Sequence, residues 1–300
     1  MTRSTATDKP TGTGTARSRI VLPMLVIMGA QALGVANDVT ANVGLPAIQA
    51  DLGLSLSTLP WVVNSYILVF GALLLLGGRA GDIYGRRRVL RIGLIVFTIG
   101  ALLGGIATSG SLVIAGRALQ GLGAALIAPN ALALITSTFA PGKTRNLALG
   151  LYAAMAGLGL AAGLLISGVL TGALGWRWLF FFNIPIALLL LMGTRRLVEA
   201  ERHTGRLTAV SAALGTGAMA ALVYAITRGG EYGWTDPGTL GFLGAAVVLL
   251  VVFLSVQSRA KDPMLPLHIF KNRNRSGAYL GMMLFAAGPL GMFYLLNLYM

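Results

Sequence analysis

Long apolar stretches alternate with short polar segments along the chain. Most of these stretches are long enough for a helix of roughly 20 residues to cross the hydrocarbon layer of a bilayer. Barrel strands are excluded, because they need shorter stretches of alternating polarity. The pattern predicts about nine transmembrane helices, at residues 20–42, 59–78, 90–108, 111–136, 147–170, 178–193, 207–227, 238–257 and 276–300.

Composition supports a membrane environment. The chain has 300 residues, of which 56% are hydrophobic and only 11% are charged. A soluble domain cannot cover so much apolar side chain with polar surface. The sequence therefore predicts an all-α, polytopic membrane protein. Residues 1–19, which are rich in Thr, Gly and Ser, are predicted to form a disordered cytoplasmic tail.

The formal net charge of +14 would suggest nucleic-acid binding in a soluble protein. Here the basic residues cluster in every second connection between predicted helices, and only Arg117, Arg177 and Arg228 fall elsewhere. This alternation follows the positive-inside rule. It predicts a multi-pass protein of the plasma membrane with a cytoplasmic N-terminus, and it argues against nucleic acid as a partner.

The residues present argue against several kinds of chemistry. The chain has no cysteine, and its two histidines lie in predicted loops without a metal-binding helix motif. Gly142 to Thr144 resembles the end of a phosphate-binding loop, but Ser137 stands where the earlier glycine is required. The sequence therefore predicts no metal, no cofactor, no ATP binding and no enzymatic activity.

A lone arginine interrupts the fourth apolar stretch. Arg117 is the only charged residue between Ile92 and Gly142, and Asp38 is the only acidic residue well inside a predicted span. Asp38 lies near the outer end of the first helix and Arg117 near the outer start of the fourth, so both have similar depth. We expect them to pair in a polar cavity and to take part in proton coupling. A static structural ion pair is the alternative.

The connection between the second and third helices reads GGRAGDIYGRRR. It contains Gly78, Asp82, Gly85, Arg86 and Arg87, and Asp82 is expected to accept hydrogen bonds from backbone amides at a helix start. An ordinary basic loop is the alternative interpretation.

Small residues mark possible helix contacts within the fourth and fifth spans. The predicted packing positions are Gly121, Gly123, Gly159, Gly163 and Gly168.

Taken together, the loop from Gly78 to Arg87, the run from Arg117 to Ala125, the glycines of the fifth helix and the segment WRWLFFFNIP resemble the major facilitator superfamily. The first helix and the two additional helices after the sixth resemble its fourteen-helix branch, the EmrB/QacA-type drug:proton antiporters. The chain departs from that pattern in the fifth helix, where Leu164 replaces a proline and Ser167 replaces a glycine.

The resemblance implies two six-helix bundles with substrate held between them. Residues 20–193 would form the N-terminal bundle, 194–257 a cytoplasmic loop and two linking helices, and 258–300 a further loop and the first helix of an incomplete, C-terminally truncated second bundle. It places Asn42, Asn64, Tyr66 and Gln120 in the substrate cavity with Asp38 and Arg117. The loop from Gly78 to Arg87 would be a cytoplasmic gating loop.

The expected function is proton-coupled efflux of drugs or other amphipathic small molecules, with protons and the lipid bilayer as the further partners. The alternatives are an inactive or regulatory truncated fragment and an uptake carrier for another solute.

Overall fold

The computed structural model describes residues 13–199, 208–260, 262–265, 267, 269, 272–282 and 284, with side chains from residue 21 onward. Residues 1–12 of the predicted tail, the segment 200–207 and most of the predicted ninth helix lie outside this range. The helices are α1 (Thr13–Leu52), α2 (Trp61–Tyr84), α3 (Arg86–Gly105), α4 (Gly110–Thr138), α5 (Lys143–Ala173), α6 (Trp178–Phe181), α7 (Asn183–Gly193), α8 (Ala209–Tyr232) and α9 (Pro237–Arg259). A 3₁₀ turn, Thr194–Arg196, follows α7.

The predicted fold class is confirmed. Regular structure is entirely helical over the described residues, and eight helical segments there are long and apolar enough to cross a membrane. Each of the first eight predicted spans coincides with one of them, and α6 and α7 together form the sixth. Residues 273–282, at the start of the predicted ninth span, are helical too.

The first helix is longer than predicted at both ends. It begins at Thr13, inside the segment expected to be disordered, and continues ten residues past the predicted end, through Pro46, to Leu52. The cluster of polar residues does not stop it, because their side chains bond within the helix. Thr40 Oγ1 donates to the Asn37 carbonyl at 3.0 Å, and Asn42 Nδ2 donates to the Asp38 carbonyl at 3.0 Å.

Helix α4 lies against both α2 and α3, and α1 packs along α5. The contacts are close because small residues face neighbouring backbones. A Cβ added at Gly121 would lie 2.5 Å from the Tyr66 carbonyl oxygen, and one at Gly123 would lie 2.6 Å from the Phe97 amide nitrogen. On α5, a Cβ at Gly159 would lie 2.9 Å from the Ala32 carbonyl oxygen.

Gly163 makes the next contact along α5, where an added Cβ would lie 3.0 Å from the Ala36 Cα. Gly168 does not belong to this set: it is exposed, and an added Cβ would meet no described atom within 4 Å. Glycine recurs on more than one face of α5, so the pattern alone does not separate Gly168 from the packing glycines. The helix also runs unbroken past Leu164, and the buried Ser167 hydroxyl donates to the Leu164 carbonyl at 3.0 Å.

The two helices after the sixth span pack on each other, and α8 also contacts α2. The ring of Tyr224 lies 5.8 Å from that of Trp61 and 4.5 Å from that of Phe242, measured between centroids. At the α8–α9 turn Asp236 accepts from the backbone amide of Thr239 and from Arg228, and these bonds hold the pKa of the Asp236 carboxyl below its usual value.

A second ion pair lies at the same end of the bundle. Arg177, in the turn before α6, approaches Asp51 at the end of α1 with 2.8 Å between Nη1 and Oδ2. Trp176 Nε1 donates to the same carboxylate oxygen at 3.1 Å. Arg177 Nη2 donates to the Ala107 carbonyl in the α3–α4 turn at 3.2 Å, so one arginine joins three connections.

Close backbone packing leads to a stability prediction. Gly123→Ala places a methyl group against backbone atoms of α3 that cannot rotate away, and we expect it to lower the free energy of unfolding by about 1–3 kcal/mol. Gly168→Ala is the matched control, and we expect no loss or a gain of up to about 1 kcal/mol from helix propensity. Thermal unfolding in detergent measures both. Equal losses in the two variants would contradict the packing assigned to Gly123.

Candidate functional site

The guanidinium of Arg117 is fully enclosed, with no exposed surface. Its Nε donates to the Val62 carbonyl of α2 at 3.1 Å, and its Nη1 donates to Gln120 Oε1, one turn further along α4, at 3.2 Å. The guanidinium carbon lies 4.3 Å from the centroid of the Tyr66 ring. A buried cation needs partners on every side, and α2 and α4 supply most of them.

Asp38 faces the remaining side of this cation. Its Oδ1 lies 3.9 Å from Arg117 Nη2, which is close enough for an ion pair and too far for a hydrogen bond. The Asp38 side chain is 45% exposed, whereas that of Arg117 is not exposed at all. The structure thus brings the two predicted residues together, with the carboxylate on the open side of the pair.

Two asparagines that the sequence analysis did not single out complete the polar cluster. Asn37 Oδ1 accepts from Gln120 Nε2 at 2.9 Å and from Asn183 Nδ2 at 3.1 Å. Asn183 Nδ2 also donates to the Leu179 carbonyl at 2.9 Å. The signal that could have found Asn183 is its position as the one amide in the apolar run 178–193.

A cavity of about 740 Å³ opens beside Asp38. It extends from the level of Asp38 and Tyr66 toward the end of the bundle where α1 begins, reaching Tyr152 on α5. Most of its wall is apolar. Its lining includes Gln31, Asp38, Tyr66, Phe70, Leu132 and Tyr152.

The predicted cavity residues have different surroundings. Tyr66 lines the cavity, whereas Gln120 is buried behind it next to Arg117. Asn64 does not line it, because two residues along a helix turn the side chain about 200° away from Tyr66. Asn42 is exposed one turn beyond Asp38 on α1 and also lies outside the cavity wall. Asn42 and Asn64 therefore lie off this wall, and their place in a substrate cavity stays a prediction.

The α2–α3 loop departs from the prediction at Asp82. This residue lies in the last turn of α2, not at a helix start, and Arg86 Nε and Nη2 donate to its Oδ1 at 3.2 and 3.1 Å. Arg86 Nη1 also donates to the Ala133 carbonyl of α4 at 3.1 Å. Gly78 faces α4 as well, where an added Cβ would lie 3.5 Å from the Pro129 Cβ.

The carboxylate at the start of α3 comes from a distant residue, Glu199. Its Oε1 accepts from the backbone amide of Arg87 at 3.0 Å, and Arg87 Nη1 donates to the Leu197 carbonyl at 3.0 Å. The N-cap residue Gly85 has φ of +100°, which glycine adopts without strain, and a Cβ there would lie 3.0 Å from the Glu199 carboxylate. The segment after α7 is therefore fastened to the α2–α3 loop.

Over the described residues, His, Asp and Glu side chains form no cluster of three that could hold a metal ion. The polar chemistry of the site is that of one carboxylate, one guanidinium and the amides around them.

Residues 27–300 match the family model described as Major Facilitator Superfamily. The chain belongs to the major facilitator superfamily. It is 42% identical over 280 residues to the puromycin resistance protein of Streptomyces alboniger. This match covers 92% of this chain and 55% of that protein. It is 37% identical over 299 residues to the cephamycin export protein of Amycolatopsis lactamdurans, covering 98% and 61%.

A third relative within the superfamily is the tetracenomycin C resistance and export protein of Streptomyces glaucescens, 34% identical over 282 residues, covering 93% of this chain and 52% of that protein. The chain spans about half the length of the curated relatives it matches.

Among solved structures, a peptide transporter in complex with sulfate matches with a TM-score of 0.59 at 18% identity, covering 80% of this chain and 53% of that one. The proton:xylose symporter bound to 6-bromo-6-deoxy-D-glucose matches with a TM-score of 0.51 at 17% identity, covering 81% and 55%. These likenesses concern the fold alone.

The Glu199 contact leads to a prediction of local stability. Glu199→Ala removes the acceptor and the negative charge at the start of α3, a loss of about 1 kcal/mol at a typical cap. We expect the Arg87 amide to exchange its hydrogen about fivefold faster, since a free-energy difference of about 1.4 kcal/mol corresponds to a tenfold change. Hydrogen exchange followed by mass spectrometry measures this. Arg88→Ala, at an exposed position in the same turn, is the control, and unchanged protection in Glu199→Ala would contradict the assignment.

Proposed function

We propose that this chain is part of a proton-coupled secondary transporter that exports antibiotic-like, amphipathic small molecules across the plasma membrane. The observation that carries the proposal is the Asp38–Arg117 pair beside a cavity of about 740 Å³ with a largely apolar wall. The volume is in the range of small-molecule sites. Relatives named for resistance to or export of puromycin, cephamycin and tetracenomycin C support the same function.

The proposed coupling depends on the asymmetric exposure of the pair. Asp38 is open to the cavity, so it is accessible both to protons and to a bound molecule, while Arg117 stays enclosed and charged. In our proposal a proton and a substrate compete for the Asp38 carboxylate. Binding of one then favours release of the other, which is the requirement for exchange transport.

We further infer that α8 and α9 are the linking pair of a fourteen-helix, EmrB/QacA-type transporter. Their packing on each other supports this, and so does the contact of α8 with α2. Residues 20–193 are then the first six-helix bundle, and residues 258–300 lead into the second. In this proposal the α2–α3 loop, with Gly78, Asp82, Gly85, Arg86 and Arg87, gates the cytoplasmic side.

Asp38→Asn tests the coupling in the full natural gene product. We expect proton-driven efflux to fall by about tenfold or more, because an amide of the same shape does not exchange a proton. Efflux of dyes and antibiotics from vesicles with an imposed pH gradient is the measurement. Asp262→Asn, at an exposed position, is the matched control. Full gradient-driven efflux by Asp38→Asn would leave the pair as a static structural contact and overturn the proposal.

The proposed orientation is tested by chemical labelling, since this chain has no cysteine. Ser57→Cys lies in the α1–α2 connection and Arg88→Cys near the start of α3, both at exposed positions. We expect a membrane-impermeant maleimide to label Ser57→Cys in intact cells and Arg88→Cys only after permeabilisation. The reverse pattern would place the N-terminus outside.

A further inference from the structure

Three amide side chains from three helices form one connected network of hydrogen bonds. Asn183 of α7 donates to the Leu179 carbonyl and to Asn37 Oδ1 of α1 through the same Nδ2 atom. Gln120 Nε2 of α4 donates to that Asn37 oxygen as well. The other end of Gln120, Oε1, accepts from Arg117 Nη1. The network therefore connects the Leu179 carbonyl of the sixth span to the buried guanidinium of Arg117.

The groups at the two ends of this network fix the orientation of each amide side chain. A backbone carbonyl only accepts, so Asn183 must present its NH₂ group to Leu179 and to Asn37. Asn37 must then present oxygen, and Gln120 must present NH₂ to it. This leaves Gln120 Oε1 for Arg117, which only donates. Asn37, Gln120 and Asn183 are all at most 2% exposed, so bulk water does not reach them.

This hydrogen-bond network fixes the position of the Arg117 guanidinium. Arg117 is held at Nε by the Val62 carbonyl and at Nη1 by Gln120, and its Nη2 remains 3.9 Å from Asp38 without a hydrogen bond. Without the Gln120 oxygen, a buried N–H group would lack an acceptor, which is costly. The closest carboxylate is Asp38, so the guanidinium would close onto it and form a direct, charge-assisted bond.

We propose that Asn183 is a positioning residue that, through Asn37 and Gln120, holds Arg117 back from Asp38. This inference rests on the proposed proton-coupled function. The separation keeps the carboxylate available to protons and substrate, whereas a closed ion pair would hold it ionised. The sixth span thereby takes part in coupling although none of its residues touches Asp38 in the contacts described.

Among the described residues, few titratable groups lie near Asp38. Arg117 approaches from α4, the Tyr66 hydroxyl belongs to α2, and Tyr152 of α5 lines the same cavity. Helices α6 and α7 contain no titratable side chain. The basic turn Thr194–Arg196 follows Gly193, which abuts Val26, and Val26 lies about three helical turns from Asp38.

Asn183→Ala tests the proposal by the pH dependence of transport in the full natural gene product. We expect the pH midpoint of efflux to move to lower pH by about one unit, because a cation in direct contact opposes protonation of a carboxylate. Gln120→Met, which keeps the side-chain length but removes the acceptor, should move the midpoint in the same direction. It keeps the test available if Asn183→Ala does not fold.

Asn130→Ala is the matched control. Asn130 is also a buried asparagine, 1% exposed, and its Nδ2 donates to the carbonyls of Gly77 and Leu126 at 2.9 and 2.8 Å. Its loss should reduce the amount of folded protein without moving the midpoint. An unmoved or alkaline midpoint in both Asn183→Ala and Gln120→Met, with pH-dependent efflux intact in the parent, overturns this inference alone. A parent whose efflux does not depend on pH overturns the proposed function instead.

Discussion

The need to satisfy one charged side chain away from water connects four of the first six spans. Arg117 occupies the inside of an apolar bundle, where an uncompensated charge is strongly unfavourable. Its partners come from α2, α4 and α1, and the amide of Asn183 adds α7 to the same network. Four helices that differ in sequence thus share one polar junction. Their relative positions follow from its geometry.

The junction depends in turn on close approach of backbones. A main-chain carbonyl, Val62, reaches Arg117 only because α2 and α4 are separated by little more than glycine at Gly121. The backbones of α3 and α4 also approach closely at Gly123, where there is no side chain to separate them. Small residues therefore do two things here: they pack the helices, and they bring polar backbone atoms to the buried cation.

Sequence alone predicted the spans well, because uninterrupted apolar runs determine them almost completely. It also identified Asp38 and Arg117, since charges are conspicuous in such runs. It failed where the answer depends on which neighbour a side chain meets. Asn37 and Asn183 are ordinary amides in the sequence. The carboxylate at the start of α3 comes from Glu199, more than 100 residues later, and not from the nearby Asp82.

The paired arginines at the end of the bundle opposite the start of α1 have a consequence for biogenesis. In the proposed orientation, Arg177 and Arg228 are carried across the bilayer as the protein inserts, and each meets an aspartate there, Asp51 or Asp236. In that orientation the basic residues of the cytoplasmic connections far outnumber these two arginines. The signal that the insertion machinery reads would then rest with the basic clusters of the cytoplasmic connections, and the exported arginines would serve to fasten the finished bundle.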